Sequence, residues 1–163
     1  MIEKQQQAEA LSNDKATIEE NIEYCRTAEI ATGDWDSLLK REESELSELL
    51  SVRCTELASR GRIDDVAQVG AKHLELEPRT HGNLYNAACA YSLCAAILVN
   101  RGTTLSEAEE AERARFLELS RSSLKEAIAA GWTNFEWTRK DSDLVELRKL
   151  PDFEDLLVLP ENP

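Results

Sequence analysis

The chain is short of almost everything that builds sheets, grips phosphates or spans bilayers. It has three each of Trp, Tyr and Phe, six Gly and four Pro in 163 residues. No β-branched stretch alternates around Asn-Gly or Asp-Gly, which excludes a recognisable β-hairpin. There is no glycine-rich phosphate loop and no dinucleotide fingerprint, and the His-Arg-Asp and Asp-Phe-Gly of a kinase are missing too. The longest apolar run, Ala95-Ala96-Ile97-Leu98-Val99, is far too short to span a membrane. The start, Met1-Ile2-Glu3-Lys4-Gln5-Gln6-Gln7, lacks the apolar core of a secretory signal, so a cytoplasmic protein is expected.

Basic residues are scarce as well. Nineteen Lys and Arg face 32 Asp and Glu, giving a formal net charge of −13. Such a surface repels phosphate backbones and anionic lipid, which argues against nucleic acid and membranes as partners. Two readings of the acid stay open, simple solvation of a helical surface and attraction of a basic partner.

What is present favours helix. Ala, Leu and Glu dominate, and such side chains lose little freedom on a helix. The fold class expected is all-α, a single domain of antiparallel helix hairpins. A first helix is expected to begin near Ser12 to Asp14, with Leu11, Ile18, Ile22, Cys25 and Ala28 on the apolar face of a packed helix. The seven-residue spacing of Leu11, Ile18 and Cys25 also allows a short coiled-coil seam, interrupted by Lys15 and Glu29. Gly33 is expected to end that helix in the left-handed conformation, and Asp34 to cap the next. No Gly or Pro interrupts residues 35–60, which predicts one long helix, with a bend near Ser44 or Ser47 as the alternative. Further helices are predicted at about 63–76, ending before Pro78, and 83–100, apolar on most sides and therefore central. Ser106 and Glu109 form a capping box for a helix reaching Ala130 and closed by Gly131. Two short helices, about 142–149 behind the cap Asp141 and about 151–158, complete the chain.

The middle of the chain resembles the tetratricopeptide-repeat (TPR) family, whose unit is a helix–turn–helix of about 34 residues. Residues 47–80 have that length, with Leu50 and Leu57, a turn at Gly61, then Ile63, Val66 and a closing Leu74-Glu75-Leu76-Glu77-Pro78. The next unit opens Leu84-Tyr85-Asn86-Ala87-Ala88-Cys89-Ala90-Tyr91, with Asn86, Ala88 and Tyr91 where the family's first-helix signature places them. Cys54 and Gly70 depart from the pattern, and residues 101–115 form a charged insertion. Ala129-Ala130-Gly131-Trp132, Asp141-Ser142-Asp143-Leu144, Leu147-Arg148 and Pro151-Asp152-Phe153-Glu154-Asp155-Leu156-Leu157 look like the end-of-array segment of bacterial TPR proteins. Together these motifs are similar to regions that follow serine/threonine kinase domains in planctomycete-like bacteria. The division implied is an N-terminal hairpin region at 1–46, repeats at 47–80 and 81–131, and a C-terminal cap at 132–163.

The resemblance implies a non-catalytic interaction or scaffold module that takes a protein or peptide partner and needs neither cofactor nor metal. Its register places Ser51, Thr55, Tyr85, Asn86, Cys89 and Ser92 along a peptide groove. Inter-helix packing is the competing role for Tyr85 and Asn86. A self-associating adaptor, forming a homo-oligomer through the N-terminal helix, is the alternative function. The remotest is a small hydrolase using a Cys/His pair, for which Cys54 or Cys89 would have to meet His73 or His81. The four cysteines, Cys25, Cys54, Cys89 and Cys94, contain no Cys-x-x-Cys and read as buried free thiols. Asp141 and Asp143 lack a twelve-residue calcium loop and read as caps. Trp132, Phe135 and Trp137 read as a plug at the end of the stack, with a peptide-gripping cage as the alternative.

Overall fold

The computed structural model describes the backbone of residues 2–102 and 104–158 and the side chains of 15, 17–102 and 104–158. Among the described residues eight α-helices follow in order: α1 (Ile2–Ala31), α2 (Trp35–Leu38), α3 (Glu43–Ser59), α4 (Ile63–Glu75), α5 (His81–Asn100), α6 (Glu107–Ala129), α7 (Phe135–Lys140) and α8 (Phe153–Leu156). Two 3₁₀ turns, Ser142–Leu144 and Leu147–Lys149, lie between α7 and α8, and no strand occurs among the described residues. The all-α expectation holds.

Glycine closes three helices by accepting positive φ, at Gly61 (+69°), Gly102 (+73°) and Gly131 (+108°). Gly33 does not join them. Its φ is not positive; instead the Arg53 guanidinium donates to Ala31 O at 2.7 Å and Gly33 O at 2.9 Å and so covers the end of α1. The same arginine overturns the single helix expected over 35–60. On a straight helix Trp35 and Arg53 would stand about 27 Å apart, yet the guanidinium lies 5.0 Å above the Trp35 ring. The chain therefore reverses between α2 and α3, N-terminal to both Ser44 and Ser47, and returns Trp35 to the flank of α3. Burial of Leu38, with Leu39 packed beside it, favours the reversal.

Contacts fix the register of the central helices. Gly70 on α4 meets Ala90 and Tyr91 on α5, while Ile63 O accepts from Cys94 Sγ, so these helices run antiparallel. A Cβ at Gly70 would sit 3.1 Å from Ala90 Cβ, which explains glycine inside a helix where it is otherwise unfavourable. Across α5 and α6, Tyr91 stacks on Phe116 and Ser120 Oγ donates to Ala88 O at 2.7 Å, again antiparallel. Ser47 on α3 donates to Asn83 on α5, 36 residues later, so α3 and α5 lie side by side. Helix α5 alone among the described residues has the length and apolar composition of a membrane span, but it is mostly buried by its neighbours.

Two apolar clusters result. One unites α2–α5 with Phe116 and Leu117. The other joins Leu84, Tyr85, Ala88 and Cys89 to Leu124, Ala127 and Ile128 and covers them with Leu144, Leu147, Phe153, Leu156 and Leu157. The tail is thus bound down, although as 3₁₀ turns and a four-residue helix rather than the two helices expected at 142–149 and 151–158.

The N-terminal helix departs furthest from expectation. It begins at Ile2 rather than near Ser12. Ile18 is 58 % exposed and Ile22 47 % exposed, and Cys25 is exposed too, so this face is not packed within the chain and Cys25 is no buried thiol. The helix meets α3 through its other side, where Ala31 is buried and Tyr24 OH donates to Glu56 at 3.0 Å. The side chain of Leu11 lies outside the described residues.

Candidate functional site

A cavity of about 340 Å³ opens between α3, α5 and the segment from Trp132 to Asp143. Ser51, Cys54 and Thr55 come from α3, His73 from α4, and Tyr85, Asn86 and Cys89 from α5. Trp132, Trp137, Asp141, Ser142 and Asp143 complete its lining. Five of the six residues assigned to a groove, Ser51, Thr55, Tyr85, Asn86 and Cys89, therefore share one cavity. Ser92 does not join them. One helical turn beyond Cys89, it is fully buried, and its Oγ has no partner within the protein. A second depression of about 440 Å³, lined by Glu43, Ser47, Glu77 and Asn83 among others, shares Asn86 with the first.

Asp141 organises the cavity. As the cap of the first 3₁₀ turn it accepts from Asp143 N–H through Oδ1 at 2.9 Å. Its Oδ2 accepts from Tyr85 OH at 2.7 Å and from Cys89 Sγ at 3.8 Å, residues 56 and 52 positions away. Capping and tertiary docking thus use opposite oxygens of one carboxylate. Burial, with the neighbouring Cys89, raises the Tyr85 hydroxyl above its ordinary value, so it stays a proton donor. Burial also raises Asp143, and the Asp141 charge adds to the effect.

The aromatic group divides. The Trp132 ring stacks on Tyr85 at 3.9 Å, its indole N–H donates to Thr138 Oγ1 at 3.0 Å, and Phe135 packs on the tail cluster. Trp137 is no plug: it is 54 % exposed and lines the cavity. Sequence periodicity could not separate these roles, because Trp137 lies on a helix of six residues, too short to show a face.

His73 is fully buried, and neither ring nitrogen has a hydrogen-bond partner within the protein. No cysteine is therefore in hydrogen-bond reach of it. His81, placed in the first turn of α5 rather than in the preceding loop, is 6.0 Å from the Trp132 ring between centroids. Burial pushes His73 down to about 4 and raises Cys54 and Cys89 above the ordinary thiol range. These directions favour the neutral imidazole and the protonated thiols over the ion pair that activates a cysteine nucleophile.

Cys89 Sγ and one carboxylate oxygen each from Asp141 and Asp143 lie within 4.8 Å of one another, a grouping that offers three donors to a cation. Sequence spacing hid it, since Cys89 is remote from the aspartates along the chain. No family model, no curated protein and no solved structure matches this chain.

Proposed function

We propose that the chain is a non-catalytic protein-interaction module, a short TPR-like helical stack working in the cytoplasm, that receives an extended segment of a partner protein between α3 and α5. The observation that carries this reading is the convergence of Ser51, Thr55, Tyr85, Asn86 and Cys89 on one cavity. The side-by-side α3 and α5, offset by 36 residues at Ser47 and Asn83, support the repeat-like arrangement. The adjoining depression through Asn86 lengthens the groove to suit an extended chain. Attachment to a bacterial kinase-like signalling protein is part of the proposal and rests on the motifs within residues 47–158 alone.

Selection of peptides from a displayed library against the intact chain tests it. Bound peptides are expected to lose about tenfold or more in affinity for Thr55→Arg, which fills the exposed side of the groove, and nothing for Gln68→Arg on the outer face of α4. Failure to select any peptide, or equal binding by both variants, contradicts the proposal.

Self-association is a second reading, favoured by the exposed Ile18 and Ile22 on the face of α1 turned from α3. Sedimentation of the intact chain and of Ile18→Glu/Ile22→Glu separates the two. A monomer in both removes the adaptor reading.

A further inference from the structure

We infer that the cavity holds a cationic side chain of the partner, an alkylammonium or guanidinium group seated against the aromatic rings and the Asp141–Asp143 pair. This deepens the interaction-module reading and rests on it. The first argument is a contrast among the acids of the tail. Glu146 is 3 % exposed and is paired with both Arg113 and Lys149. Asp152 is paired with Arg121, and even the exposed Glu154 is paired with Arg139. Asp141, 8 % exposed, is more enclosed than Asp152 or Glu154, yet it accepts only from neutral donors, Tyr85, Cys89 and the Asp143 amide. Asp143 has only the hydroxyl of Ser142 at 3.4 Å. Neither Lys nor Arg lines the cavity. Two adjacent carboxylates without a counter-charge repel each other, and partial burial magnifies that repulsion.

The walls match the charge. Tyr85 and Trp132 form a stacked aromatic surface, and half-exposed Trp137 lines the same space. Aromatic faces attract cations, and the attraction grows where water is thinned. His73 contributes a fully buried imidazole with two unpartnered nitrogens to the lining, an acceptor for an N–H and no competing positive charge. Glu43 and Glu77 border the neighbouring depression, so the approach is acidic as well. An anionic ligand would meet the two aspartates with no Lys or Arg in the lining to offset them. A metal ion would use Cys89, Asp141 and Asp143, but the cavity is many times an ion's size. The space and the rings favour an organic cation.

Three probes test this on the intact chain: Nα-acetyl-lysine methylamide, Nα-acetyl-arginine methylamide and the uncharged Nα-acetyl-norleucine methylamide, each followed by saturation-transfer NMR. Binding of at least one cationic probe, absent for norleucine, is the expected result. Asp143→Asn should weaken it about tenfold, and added salt should weaken it further. Trp137→Ala, remote from the core, should weaken it severalfold while the melting temperature stays put. Equal binding of norleucine, or cationic binding unchanged in Asp143→Asn, overturns the inference. So does one-to-one zinc binding that is lost in Cys89→Ser and excludes the cationic probes, which would make the cavity a metal centre. Peptides that bind through the groove but carry no basic residue sink this inference and leave the module standing. Cationic probes that bind where no peptide is captured sink the module and leave the cation site.

Discussion

The two ends of the molecule invert the usual relation between regular structure and burial. At the N-terminus a helix of 30 residues exposes Ile18 and Ile22. At the C-terminus, 3₁₀ turns and a single helical turn bury Leu144, Leu147, Phe153, Leu156 and Leu157. Local propensity makes α1, whereas tertiary packing makes the tail. A helix many turns long satisfies its own backbone hydrogen bonds without a partner. The tail has no such resource, and holds its shape because the α5–α6 pair receives its leucines.

Breaking the tail should have the largest effect. Phe153→Ala is expected to cost about 3–5 kcal/mol in chemical denaturation, since it empties a buried site in the second cluster. Next comes Glu146→Gln. Burial opposes the Glu146 charge, but hydrogen bonds from Lys149 and Arg113 outweigh it and hold the carboxyl below its ordinary value. Its contribution is therefore present above the ordinary glutamate range and lost as pH falls through the lowered folded value. The variant should be less stable near neutrality by about 1.5–3 kcal/mol, and denaturation curves recorded at falling pH should converge with those of the parent.

Asp143→Asn sharpens the comparison with the opposite sign. The carboxyl is raised by burial and by Asp141, so the charged form strains the fold near neutrality and the protonated form does not. Replacement should raise the melting temperature slightly at neutral pH, by no more than about 1 kcal/mol equivalent given its partial exposure, and leave it unchanged in acid. The smallest effect belongs to α1. Ile18→Ala with Ile22→Ala should alter the denaturation midpoint of a monomer by less than about 0.5 kcal/mol. A loss as large as that of Phe153→Ala would show that this face is packed after all.

These contrasts also mark what was legible in the sequence. Most caps and turns were, because they depend on a few neighbouring residues: the Ser106–Glu109 box, Asp34, Asp141, and the glycines at 61 and 131 act locally, whereas the end of α1 at Gly33 is covered by the distant Arg53. The break in residues 39–42 was not, because no Gly or Pro marks it and its support, Arg53, lies well inside the following helix. Periodicity in α1 correctly found an apolar face but could not say whether this chain supplies its cover. The register grouped Ser51, Thr55, Tyr85, Asn86 and Cys89, which do line one cavity, while Ser92 lies on the buried side of α5. The link from Asp141 to Tyr85 and Cys89 spans more than fifty residues and left no local trace.

The three tryptophans provide the most direct test of the cavity as a binding site. Trp132 and Trp137 line it, while Trp35 sits apart against Arg53. With 5-fluorotryptophan incorporated, a selected peptide should shift the fluorine resonances of Trp132 and Trp137 and leave that of Trp35 in place. A shift confined to Trp35, or none at saturating peptide, would contradict the account.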